Sequence, residues 1–415
     1  MIPRSWESAR PTSVTSTAVT WSRRTDSSAV SANSLGPVGD AGTDTFDEEV
    51  ERFFAALPAV LDAAGPSGLA RARAWRRALF DAGLAGFGIP EEYGGRSDPA
   101  DGARRLQRLA RGRVPAEEST FGIGLNMAVP TMLQYGSAEL CRRFVPPALR
   151  GDEVWCQLYS EPGAGSDLPS LTTRAVLDGD EWVVNGQKVW TSGAHHSDLG
   201  ILLARTGDAP GKAGISMMVM PMHQPGVDVR PLRQMTGHAE FNEVFFTDAR
   251  VPRDWVVGEV NDGWRAATQL LAHERSSLGA GSDDGERKAA GSAALPVHFL
   301  LSLAARTGAT DDPHIRQELA RAHTGEMIMT WLSKRRGIHP SIGKLWRTKQ
   351  ARHAASVAAA MHPAMIAFEA DDDTEFWQYH VLNAPRMSLG GGTDEIQKNT
   401  IGERALGLPR EPGQA

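Results

Sequence analysis

The sequence predicts an α+β multidomain chain in which a helical region, a compact β unit and a second helical region follow one another. Three observations carry this. Apolar residues recur at three- and four-residue spacing from Asp47 to about Arg150. Short strand-like runs separated by Gly, Pro or Asp fill roughly 153–256, and helical spacing returns after Gly263. Periods of 3.6 and 2 distinguish helix from strand because they set which residues share a buried face.

Residues 1–44 are rich in Ser, Thr and Ala and lack an apolar core pattern, so they read as a disordered tail or an overcalled start. Their Arg and Ser content only faintly suggests a transit peptide. Residues 45–152 form the first helical region. Val50, Phe53, Phe54, Leu57, Val60 and Leu61 make one apolar stripe, and 125–135 and 138–149 give two further helices. Pro90 and Gly94-Gly95 mark a loop between them.

Within 153–256, Thr172–Val176, the turn Asp178-Gly179-Asp180 and Trp182-Val183-Val184 read as a hairpin. Asn185-Gly186 reads as a second tight turn. Short strands are expected at 201–204, 215–220, 227–229 and 243–246. In the last region, 257–412, helices are expected at 313–336, 341–361 and 393–405. Residues 281–292 and 370–380, the latter with Asp371-Asp372-Asp373, have loop composition. No GxGxxG opens a βαβ unit, which disfavours a Rossmann dinucleotide fold.

The 415 residues are 41% hydrophobic and 23% charged, with a net charge of −6. A chain of that composition can bury a large core. It offers no basic block for nucleic acid. Cys141 and Cys156 are too few for a zinc cluster or a disulfide framework, so no metal is expected and a reducing, cytoplasmic home is. No apolar run approaches the ~20 residues of a membrane span.

Three segments carry chemistry. Tyr159-Ser160-Glu161-Pro162-Gly163-Ala164-Gly165-Ser166-Asp167 is an irregular loop that turns backbone N–H groups toward a ligand. Glu161 and Asp167 are expected to hold it through hydrogen bonds to backbone. Trp190-Thr191-Ser192 sets a large ring beside two hydroxyls at a strand end, fit to cover a planar heteroaromatic and bond its edge. Gly390-Gly391-Gly392-Thr393 runs bare backbone into a helix, with Thr393 as N-cap. Each alone has an ordinary structural reading as a turn, a core Trp or a glycine loop.

Together, in this order and around a β unit, they resemble the acyl-CoA dehydrogenase family. Met235-Thr236-Gly237, Phe241–Phe246, Gly263-Trp264 and the tail 401–410 match as well. The resemblance spans about 45–412 and is thin from 281 to 383. It implies an N-terminal helical domain, a middle β-barrel or sandwich domain and a C-terminal four-helix bundle. It also implies FAD, an acyl-CoA substrate, α,β-dehydrogenation, electron-transfer flavoprotein as electron acceptor, and a homo- or hetero-oligomer (dimer or tetramer).

Many relatives carry the catalytic Glu directly before the Gly-Thr of the last motif, where this chain has Gly391. A subset places it before an Arg on the first helix after the β domain, where this chain has Glu274-Arg275. The resemblance therefore implies Glu274 as base and a backbone N–H at Gly391 that donates to the thioester. Arg275 and Ser166 match contacts to the acyl-CoA. Gln157, Tyr159, Ser160, Trp190, Ser192, Thr393 and Glu395 match contacts to the flavin. His273 is expected to be structural.

Two family stretches are missing on the FAD diphosphate side: an Arg-x-x-Phe-Gly, and a Gly-Gly-x-Gly at the place of Met361-His362-Pro363-Ala364-Met365. Other residues do their work, a different partner chain supplies it, or FAD binding is weak or absent. The competing functional readings are a related flavin oxidase or monooxygenase, and a non-catalytic or half-site subunit of a heteromer.

Overall fold

The computed structural model describes residues 41–66, 68–97, 101–279, 295–335, 337–363 and 372–410. Most of the proposed tail, the whole of the 281–292 loop and the end of the Met361–Met365 stretch lie outside these residues.

Helices α1 (Ala41–Ala63) and α2 (Leu69–Asp81) open the chain, followed by α3 (Gly102–Leu109), α4 (Val129–Tyr135) and α5 (Ala138–Arg150). Most of the stripe expected on α1 is buried: Val50, Phe54, Leu57 and Leu61 pack with Trp75 and Leu79 of α2, Phe53 is half-buried against them, and Val60 instead faces solvent.

Seven strands form one mixed, curled sheet: β1 (Trp155–Leu158), β2 (Arg174–Asp178), β3 (Glu181–Ser192), β4 (Leu199–Arg205), β5 (Ile215–Pro221), β6 (Val227–Leu232) and β7 (Phe241–Pro252). The order is β1-β4-β2-β3-β7-β6, with β5 on β4. Strands β4 and β5 are apolar at nearly every position because both faces are covered. Ile201, Leu203, Met217 and Val219 meet the helices, whereas Leu202, Ala204, Met218 and Met220 fill the core inside the curl.

One expectation fails here. Asn185-Gly186 is not a turn; it lies inside β3, at a register shift against β7. Asn185 exchanges two hydrogen bonds with Asp248, and a side chain at 186 would strike Thr173. The pair makes a bulge, which takes up one extra residue and increases the local twist.

The C-terminal helices are α6 (Gly263–Gly279), α7 (Val297–Thr307), α8 (Pro313–Lys334), α9 (Pro340–Met361), α10 (Asp372–Asn383) and α11 (Asp394–Thr400). Helix α9 is central and packs against all the others. Helix α10 corrects the loop expected at 370–380. Aspartates at a helix start complement its dipole, and Thr374, Trp377 and His380 recur at three-residue spacing as its buried face. No helix among the described residues is long and apolar enough to cross a membrane.

Candidate active site

Helix α6 starts hard against the sheet. Gly263 sits so close to β5 that any Cβ would collide with Ser216 and Met217 backbone, so glycine is required there. From that anchor Ala266, Ala267 and Leu270 are buried against the sheet. One turn beyond Leu270, on the same face, is Glu274. Side chains four apart on a helix share a face, so the carboxylate points at the sheet and is half-buried.

It meets β1 there. Alternation puts Trp155, Gln157 and Tyr159 on one face of the strand and its extension. Gln157 Nε2 donates to Glu274 Oε2 at 3.4 Å. The Tyr159 hydroxyl is buried without a hydrogen-bond partner. Burial first, and the Glu274 charge second, push the phenol well above the usual tyrosine range. The side chain of Arg275 lies outside the described residues.

Behind Tyr159 is an ion pair the sequence reading missed. Lys188 of β3 is fully buried, and its ammonium donates to Glu161 Oε1 at 2.9 Å and to the Tyr159 carbonyl at 3.0 Å. Glu161 also accepts from Thr172 N and Oγ1 at 2.7 Å and from Thr173 N at 2.9 Å. Burial alone raises a carboxyl, but the Lys188 charge and these hydrogen bonds outweigh it and hold Glu161 down at about 2. Glu161 thus anchors the loop to the 172–173 segment and to Lys188, not through the hydrogen bonds to the loop's own backbone that were expected. Asp167 contributes its carbonyl, which accepts from Ser170 Oγ at 2.7 Å. Val189 N donates to Ser160 O, so the loop is fastened along β3. Ser166 is exposed.

Two residues after Lys188 the strand is distorted. Trp190 has φ 61°, in the left-handed region that bulky side chains avoid, and the ring is 61% exposed. Strain of this kind persists only where the surroundings enforce it, and it gathers at functional sites. Here a second register shift between Lys188 and Thr191 enforces it. The ring edge packs on Phe241 at 6.1 Å. Beside it, the Thr191 hydroxyl is buried without a partner, while Ser192 is exposed.

The glycine turn is tied to α9. Lys344 pairs with Asp394 at 3.1 Å, and Thr348 donates to the Met387 carbonyl at 3.0 Å. Thr393 caps α11 by accepting from Ile396 N. Gly391 and Gly392 have φ 68° and 88°, and the Gly391 carbonyl accepts from buried Gln397 at 2.6 Å. Gln397 Oε1 is buried without a partner, and Glu395 is exposed.

The structure thus brings Gln157, Tyr159 and Glu274 together. It fastens Ser160 to β3 beside Trp190, and places Gly391, Thr393 and Glu395 on a separate turn and the helix start after it. Lys188 is a residue that sequence reasoning missed. Only the position of Lys188, between the loop motif and Trp190, gave any hint.

The chain matches three family models in succession: "Acyl-CoA dehydrogenase, N-terminal domain" over 42–152, "middle domain" over 156–249 and "C-terminal domain" over 261–406. It is 42% identical over 351 residues to "Acyl-CoA dehydrogenase IpdE1" of Mycobacterium tuberculosis, covering 82% of this chain and 88% of that protein. Among solved structures it resembles the "Tcur3481-Tcur3483 steroid ACAD" with TM-score 0.69 and 29% identity, over 89% of this chain and 98% of that one. It also resembles a chain of the "ChsE4-ChsE5 complex from Mycobacterium tuberculosis", with TM-score 0.66 and 28% identity over 92% and 100%. This chain belongs to the acyl-CoA dehydrogenase family and is an oxidoreductase of that family.

Proposed function

We propose that the chain removes a hydrogen from each of the α and β carbons of an acyl-CoA thioester, with Glu274 as the base for the α-proton. The observation that carries this is the inward, half-buried placement of Glu274 beside Gln157, together with a glycine at 391 where many relatives keep their acid. A carboxylate held by a side-chain donor at a sheet edge is positioned for one proton transfer.

The residues fit FAD on this chain's own geometry. An exposed Trp190 ring, the buried unpartnered hydroxyl of Thr191 and a bare turn above an unpartnered Gln397 oxygen present a flat apolar cover and polar groups to a ring. Trp190 and Ser192 would hold its edge, Ser160 and the Tyr159 backbone its face, and Thr393 and Glu395 its ribityl and diphosphate side. Bound there, FAD supplies the hydride acceptor that no side chain can provide.

The remaining work falls to this chain's own groups. Glu274 takes the α-proton. The Gly391 N–H donates to the thioester oxygen and stabilises the negative charge that develops there. The carbonyl of the same residue accepts from Gln397, which ties the turn to α11. Arg275 and Ser166 bind the CoA thioester. Electron-transfer flavoprotein is the proposed electron acceptor, and the cytoplasm the proposed location.

The likeness to a structure titled a steroid enzyme supports a bulky, steroid-derived acyl group. Both neighbours carry two-component names. Together with the two missing family stretches, that favours a second reading, in which this chain is one half of a heteromer whose other chain completes the diphosphate site. An anaerobic titration with a panel of acyl-CoAs, following flavin absorbance, tests both. Bleaching by the chain alone supports the first. Bleaching only after a sister chain is added supports the second. Oxygen consumption during turnover would make it an oxidase instead.

A further inference from the structure

Two of the proposed cofactor-binding segments are far apart in the chain: 190–192 at the end of β3, and 390–393 before α11. One residue outside every motif joins them. Glu240, immediately before β7, accepts from Gly193 N through its carbonyl at 3.0 Å. Its carboxylate accepts from Arg386 Nη1 at 2.8 Å and from the Tyr379 hydroxyl at 2.8 Å. The residue after it, Phe241, packs against Trp190 on one side and lies under the Arg386 guanidinium, 5.3 Å away, on the other. The Arg386 carbonyl accepts from both Leu389 N and Gly390 N, which start the glycine turn.

Two of the partners of Glu240, Gly193 and Arg386, thus adjoin the 190–192 and 390–392 segments directly. We propose that Glu240 is a positioning residue that fixes the Trp190–Ser192 wall against the Gly390–Gly392 turn, and so sets the width of the cofactor cleft. This rests on the assignment of both segments to FAD. Three features support a fixed arrangement. Both carboxylate oxygens are engaged, by donors from two different elements. The guanidinium lies over the Phe241 ring. Tyr379 stays a donor throughout the working pH range, because burial and its bond to Glu240 push the phenol above its usual value. The link also spans 146 residues of sequence, so neither wall holds the other by local structure.

The test uses the full chain and two readouts. Amide hydrogen exchange is followed without cofactor in wild type, Glu240→Ala and Arg386→Met. FAD affinity is then measured by flavin fluorescence in the same proteins and in the double variant. Losing charge-assisted hydrogen bonds of this kind should speed exchange about tenfold in both 191–193 and 388–392. FAD affinity should fall about tenfold in each single variant, and the second substitution should add less than about twofold, since coupled residues are not additive. Glu240→Gln, which keeps the shape and one acceptor, should recover part of both.

Exchange that changes only around 238–242, or a fully additive double variant, would overturn the proposal. So would unchanged FAD affinity in Glu240→Ala despite faster exchange. A wild-type chain that binds no FAD, with or without a sister chain, would instead sink the cofactor assignment and this inference with it.

Discussion

Gln157 and Glu274 meet across the seam between the sheet and the first C-terminal helix, 3.4 Å apart, although 117 residues separate them in sequence. The contact exists because β1 alternation and the α6 repeat both aim at the same gap. A glutamate on the solvent face of α6 would have no such partner, and the proposed role of Glu274 as the base rests on this contact.

The position of Glu274 depends on the anchor of α6. Gly263→Ala should push the helix off β5, since the new methyl meets backbone that cannot move aside. Overpacking of this kind costs about 1–3 kcal/mol. Denaturant melts should show that loss, and kcat should fall further than stability alone accounts for, because Glu274 shifts with the helix.

The Lys188–Glu161 pair is the main buried charge behind the loop. Lys188→Met leaves a carboxylate buried with its counter-charge gone, which typically costs about 3–5 kcal/mol. Adding Glu161→Gln should recover part of that loss. Equal destabilisation by the single and double variants would contradict the coupling.

Acid sensitivity follows from the same carboxylate. The Glu161 pKa is depressed from 4.5 to about 2. The folded state therefore binds fewer protons than the unfolded state between those values. Its contribution to stability is complete above pH 4.5 and is lost as pH falls toward 2. Thermal melts across that window should steepen in wild type relative to Glu161→Gln; parallel curves would contradict the assignment.

Trp190 separates stability from function. Trp190→Gly relieves left-handed strain of about 1–2 kcal/mol and adds unfolded-state entropy worth about 0.5–1 kcal/mol, so the net change in stability should be small. The mostly exposed ring gives up little packing. The variant should melt no lower than wild type while FAD affinity falls. A variant that is destabilised yet binds FAD normally would assign the ring a structural role.

Much of this was legible in the sequence because it was local. Helical spacing in α1 and the alternation in β4 and β5 are periodicities. The Gly390–Thr393 run and its N-cap are a few adjacent residues, and the absence of an acid at 391 directed attention to Glu274. What was hidden depended on distance or tertiary override. Asn185-Gly186 looked like a turn, yet the pairing of β3 with β7 absorbs it as a bulge. The acidic start of α10 looked like a loop until its Trp377 face found α9. Lys188 carries a polar residue's signature in a strand, and only the fold shows that Glu161 awaits it inside. Nothing around Glu240 points to Arg386.

The most direct measurement is solvent exchange of the substrate α-proton in wild type and Glu274→Gln, each first shown to bind FAD and the acyl-CoA. General-base removal contributes about 10²–10⁴-fold, so the variant should lose exchange by that order with both ligands still bound. Exchange at the wild-type rate would place the base elsewhere and contradict the account.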